Sequence, residues 1–178
     1  MLGRLEELFD STGRRPADIE TVAAARGPGS FTGLRVGLSI AGGLAYGRKA
    51  GLYLIDSLPI LAHRAAGAPA AIALRDAGRG EVFAWRGGES PLRLLVAELA
   101  SWLPSSGAIV AEPAGKLAEW VPEAAGREVP ADKQRPLSAA LLERANWTFE
   151  FAKPLLYHEI EALYVQPAAA EERMRKAP

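Results

Sequence analysis

The 178 residues contain no cysteine, which excludes a disulfide framework, a thiolate zinc site and a cysteine nucleophile together. Histidine is nearly as scarce. The two copies, His63 and His158, lie far apart and neither belongs to a His-x-x-x-His pair, so metal-dependent chemistry and a conventional triad have little to draw on. Neither sign of charge prevails: 21 Lys and Arg stand against 21 Asp and Glu. With no global basic field, any RNA contact has to be local or borrowed from a partner. No run reaches the roughly 18 apolar residues of a membrane span, and the first residues lack the basic-then-apolar layout of a signal peptide. The expected setting is therefore cytoplasmic, with no membrane contact.

What is present is enough apolar material, 49% of the chain, to bury a core in one domain or one and a half. The strongest motif is Gly27-Pro28-Gly29-Ser30-Phe31-Thr32-Gly33-Leu34-Arg35. Residues 21–26 (TVAAAR) read as a short buried strand and residues 31–48 carry small or apolar side chains at helical spacing, so the loop joins a strand to a helix N-terminus. Free N–H groups, the helix dipole and the flanking Arg26 and Arg35 favour an anion there. Gly27, Gly29, Ser30, Thr32, Gly33 and Arg35 are thus candidate nucleotide or anion contacts; a tight turn that merely starts the helix fits the local physics equally well.

The helix itself contains Gly37, Gly42 and Gly43, each costing about 1 kcal/mol relative to alanine. At 100° per residue, Gly33, Gly37, Ile40, Ala41 and Leu44 form one small-residue face that lets another backbone come close. That backbone is either this chain's own sheet or a helix of another chain.

Upstream, residues 1–12 read as a helix with Met1, Leu5, Leu8 and Phe9 on one face, ended by Gly13. No capping side chain precedes it, which raises the expectation of a segment ahead of Met1. Downstream, residues 52–55 (LYLI) complete a strand–helix–strand unit, which predicts parallel strands and an α/β fold. A helix is expected over 58–66, strands over 70–74 and 81–86 around a charged turn at 75–80, and an amphipathic helix over 91–103 with Leu92, Leu95, Val96, Leu99 and Leu103 inward. Further expectations are a strand at 108–111, short and longer helices at 114–121 and 137–147, a surface connection at 130–136, a strand at 162–165 and a loose tail from 168. Asp76 and Glu81 are acid/base candidates only if the turn at 75–80 is more than a solvated turn.

Familiar phosphate motifs do not match. The loop spacing is one residue longer than G-x-G-x-x-G, Pro28 removes an amide, no Lys-Ser or Lys-Thr follows the last glycine, and Ser30 lacks the flanking glycines of a nucleophile elbow. Asp56 after the second strand is the one further feature shared with a dinucleotide fold.

GPGSFTGLR followed by the glycine-studded helix, LYLI and Asp56-Ser57-Leu58 resembles the bacterial TsaB (YeaZ) family. Asp76-Ala77-Gly78-Arg79-Gly80-Glu81-Val82-Phe83 is similar to that family's Asp-Ala-Arg-x-Gly-Glu-Val-Tyr hairpin, with Gly78 in place of arginine. Ala162-Leu163-Tyr164-Val165-Gln166-Pro167 resembles its Leu-Tyr-Leu-Arg-Pro signature, with Gln166 in place of arginine.

The resemblance implies an actin-like ATPase fold of the ribonuclease H-like type. It further implies a non-catalytic subunit in the transfer of a threonylcarbamoyl group to the adenosine beside the tRNA anticodon. The implied partners are a TsaD-like catalytic paralogue, a TsaE-like ATPase, a second copy when alone, and tRNA indirectly. The implied interface is the first helix and the helix after the loop: Leu5, Leu8, Gly33, Gly37, Ile40, Ala41 and Leu44. No cofactor of its own is implied, with ATP or ADP at most shared with a partner. The rival from the residues alone is a small-molecule kinase or ATPase using the Gly27 to Gly33 loop for phosphate. Family members carry strands and a first phosphate turn ahead of the first helix, whereas this sequence opens at that helix, which predicts an exposed sheet edge, an apolar patch and weak binding of ATP. The expected division is 1–66, 67–167 and a tail at 168–178.

Overall fold

The computed structural model describes residues 2–65, 71–151 and 153–165. Helix α1 (Leu2–Thr12) leads through a short turn into β1 (Thr21–Gly27), α2 (Phe31–Arg48) and β2 (Gly51–Asp56). β1 and β2 pair in parallel, Val22 opposite Leu52 and Ala25 opposite Ile55, as the strand–helix–strand pattern predicts. The boundaries of α2 have local causes. Ser30 caps its start, its side chain accepting from the Gly33 amide at 3.3 Å, and Lys49 ends it in the left-handed region at φ 53°. Leu38, Ala41, Gly42 and Ala45 form its buried face, with Ala41 and Ala45 against Leu52, Val22, Ala24 and Leu54.

α3 (Ser57–Ala62) is shorter than the expected 58–66 and ends in turns, while residue 66 lies outside the described residues. Beyond it, β3 (Ile72–Gly78), β4 (Glu81–Trp85), β5 (Leu92–Leu95) and β6 (Ile109–Glu112) form one sheet in the order β5-β4-β3-β6. β3 runs antiparallel to β4 and parallel to β6, and the charged turn is tighter than expected, with positive φ at Gly78, Arg79 and Gly80.

The amphipathic helix expected over 91–103 is not there. Residues 92–95 are β5, residues 96–98 a 3-10 turn, and the helix α4 covers only Leu99–Trp102. The exposed edge of β4 explains it: β5 satisfies that edge, placing Leu94 opposite Val82 and Arg93 opposite Phe83, and Arg93 pairs with Glu81. Leu92 and Leu95 consequently face outward and Leu99 is buried.

α5 (Leu117–Trp120) occupies part of the expected 114–121, and α6 (Leu137–Phe151) runs past 147. Residues 162–165 form no strand; this segment is anchored by one backbone bond, Leu163 N to Arg26 O at 2.6 Å. The tail from 168 lies outside the described residues.

Ile72, Leu74, Val82, Leu99, Ile109 and Leu117 fill one face of the larger sheet, and Leu58, Leu61, Ala73 and Val110 fill the other. α6 returns to the first sheet, where Ala140 and Ala145 pack with Ile55 and Ile60. Among the described residues no helix is long and apolar enough to cross a membrane.

Candidate functional site

The glycine loop is tied down by its own chain. The Gly27 amide donates to Ser57 Oγ at 3.1 Å, and the Gly27–Pro28 peptide is cis. The Pro28 carbonyl accepts from Arg75 Nη1 at 2.9 Å, while Arg75 Nε donates to Glu112 at 2.6 Å, so one guanidinium fastens the loop to the second sheet. Gly27 has φ 120°, and a Cβ there would collide with the Leu163 carbonyl oxygen; only glycine fits. A Cβ on Gly29 would stand 3.1 Å from Arg75 Nη1.

Of the candidate anion contacts, the Gly27 amide and the Gly33 amide are thus engaged internally, by Ser57 and Ser30. Thr32 and Arg35 are exposed on the first turns of α2. Arg26, expected to add free positive charge beside the loop, instead donates to Asp56 at 2.6 Å. The other acid/base candidates are structural as well: Asp76 Oδ1 accepts from the Gly78 amide at 2.6 Å and Glu81 pairs with Arg93. His63 sits 3.5 Å from Glu143, which also pairs with Arg135. Burial lowers the His63 pKa, Arg144 and Arg135 push the same way, and Glu143 opposes them.

The small-residue face of α2 lines a groove of about 530 Å³. Gly33, Gly37, Ile40, Ala41 and Leu44 line it, joined by Leu5 of α1. Six of the seven candidate interface residues therefore meet in one place, while Leu8 is 54% exposed outside it. A Cβ added at Gly37 would meet no atom within 4 Å, so this chain's own sheet is not the close neighbour for which that glycine makes room. Val22, Ala23, Ala24 and Ala25 lie along the groove, and among the described residues β1 pairs with no strand besides β2. Leu137 and Leu141 of α6 also line it. Periodicity within α6 gave no sign of that, because the contact depends on the chain's return across the first sheet. Among the described residues the only charged one lining it is Arg75, already paired with Glu112.

Comparison with known proteins adds the chain's relatives. The family model described as "TsaD: tRNA N6-adenosine threonylcarbamoyltransferase" matches residues 1–99. The chain is 37% identical over 86 residues to the tRNA threonylcarbamoyladenosine biosynthesis protein TsaB of Escherichia coli (strain K12), a match covering 47% of this chain and 37% of that protein. The TsaB of Haemophilus influenzae is 37% identical over 89 residues, covering 47% of this chain and 36% of its own length. The matches thus span little more than a third of these curated relatives. Among solved structures, YeaZ from Pseudomonas aeruginosa superposes with a TM-score of 0.76 at 22% identity, over 92% of this chain and 82% of that one. A Pseudomonas aeruginosa protein described as uncharacterized, with similarity to peptidase YEAZ, gives 0.72 at 23% identity, over 93% and 82%. The chain belongs to the TsaD family, has TsaB proteins among its sequence relatives, and carries the actin-like ATPase-type α/β fold of that family.

Proposed function

We propose that the chain is a non-catalytic scaffold subunit of the complex that transfers a threonylcarbamoyl group to the adenosine beside the tRNA anticodon, pairing with a TsaD-like catalytic subunit. The observation that carries this reading is the groove: an apolar trough along α2 whose glycine face has open space above Gly37. Such a face suits a second helix at close range. In the absence of that partner, the same face would serve a homodimer. A TsaE-like ATPase and tRNA are then reached through the complex. No cofactor is assigned to the chain itself, and ATP or ADP at the loop would be shared with the partner.

Size-exclusion chromatography with light scattering tests the pairing, using the purified chain and the TsaD-like protein of the same organism. A one-to-one complex is expected, lost in Gly37→Leu although that variant keeps its helical circular dichroism. No complex with the unmodified chain overturns the reading. The rival, a kinase or ATPase built on the Gly27 to Gly33 loop, requires ATP turnover by the isolated chain that Gly29→Val abolishes. The internal engagement of Gly27 and Gly33 amides and the approach of Leu163 to Gly27 favour the scaffold.

A further inference from the structure

A second surface, separate from the groove, carries chemistry that pairing of helices does not use. Phe31 and Tyr164 stand with ring centroids 5.6 Å apart, and each is 48% exposed. The Arg35 guanidinium lies over Phe31, 5.2 Å from its centroid. Beside them opens a cavity of about 580 Å³ with Leu38 and Ile160 as apolar lining and Arg35, Ser39, Glu161 and Tyr164 as polar or aromatic lining. Among the described residues, neither Arg35 nor Glu161 has an ion-pair partner.

We propose that this patch is a stacking site for an unpaired base of single-stranded RNA. Half-exposed aromatic rings beside arginine provide sequence-tolerant stacking, and the arginine also supplies the cation for one phosphate. The Glu161 carboxylate repels phosphate but accepts hydrogen bonds from an exocyclic amino group, so it selects bases that carry one and discriminates against uracil. A protein partner fits less well: sealing an unpaired arginine and an unpaired glutamate in a dry interface is costly, whereas interfaces with nucleic acid are wet and polar. The zero net charge of the chain agrees with a local contact of this kind. The identity of the RNA, a tRNA, rests on the proposed function; the stacking itself does not.

Fluorescence anisotropy of labelled oligo(rC) and oligo(rU) decamers, titrated with the full chain, tests the proposal. Oligo(rC) is expected to bind more tightly, with a salt dependence of log K on log salt near about −0.7, the value for one phosphate on a single strand. Phe31→Leu or Tyr164→Leu should each weaken oligo(rC) about ten-fold, within the range of one lost base stack. Arg35→Gln should weaken both oligomers and flatten the salt dependence. Glu161→Ala, a surface change that removes the accepting oxygens, should erase the preference for oligo(rC) while leaving oligo(rU) binding no weaker. The proposal is overturned by no RNA binding in the unmodified chain, by equal binding in all four variants, or by variants that lose the TsaD-like partner yet keep RNA. RNA binding through the patch without any partner complex removes the scaffold reading alone; an intact complex without RNA binding removes the stacking site alone.

Discussion

Arg75 shows how much a single side chain contributes to the glycine loop. Its side chain is 18% exposed, and its guanidinium bridges the Pro28 carbonyl and the Glu112 carboxylate. Hydrogen bonds to charged groups contribute about 1.5–3 kcal/mol, so Arg75→Met should lower stability by about that amount in urea unfolding. An unchanged midpoint would mean that the loop holds its shape without the second sheet. His63 makes a different prediction. Its pKa is lowered in the folded chain, so on acidification below about 6.5 the unfolded state takes up the proton first and stability falls through the folded pKa. Glu143, held below its usual value by Arg135, adds a loss of the same sign below about 4.5. His63→Gln should flatten the fall that begins as the pH drops below about 6.5 and leave the more acidic loss intact, as read from urea midpoints at each pH. A slope unchanged by the substitution would rule His63 out as its source.

α2 is the element in which sequence and structure agree most fully, because its signals are local. The serine cap, the glycine loop before it and the small residues Gly33, Gly37 and Ala41 mark its start and its narrow face without reference to the rest of the chain. Gly43 is exposed, and a Cβ there would meet nothing within 4 Å. Gly43→Ala should therefore stabilise the isolated chain by up to about 1 kcal/mol through helix propensity, seen as a raised melting temperature. A lowered melting temperature would mean that Gly43 sits against something in solution. β5 is the opposite case. Leu92, Leu95, Val96 and Leu99 have helical spacing, yet the ladder offered by β4 decides the outcome, and no window of residues 91–103 contains that information. The segment at 162–165 likewise reads as a strand on its own, but among the described residues its backbone is tied to β1 at one point, Leu163 N to Arg26 O, which makes it a strap over the loop. In the candidate site, the α2 face and Leu5 were legible as a helical stripe. Arg75, Leu137 and Leu141 were not, since only tertiary packing brings β3 and α6 to the groove.

At the level of the whole molecule, the two sheets are joined through α3. Ser57, Leu58, Ile60, Leu61 and Ala62 are all buried, a degree of burial that a helix reaches only with neighbours on both sides. Ile60 belongs to the cluster of Ile55, Ala140 and Ala145 in the first half, whereas Leu58 and Leu61 belong to that of Ala73, Phe83 and Val110 in the second. The expected division near residue 66 therefore runs beside an element that serves both parts. The first half has the weaker independent claim to stability, because among the described residues its sheet has two strands and no further strand pairs with β1. If α3 couples the halves, truncating Leu61 should destabilise both. Leu61→Ala removes a fully buried side chain and should cost about 2–5 kcal/mol. Native-state hydrogen exchange reads the two halves separately: amides of β1 and β2, as well as those of β3, β4 and β6, should lose protection together. Faster exchange confined to β3, β4 and β6 would show instead that the halves unfold as independent units, with the first held by α6 and its own α2 packing rather than by the second sheet.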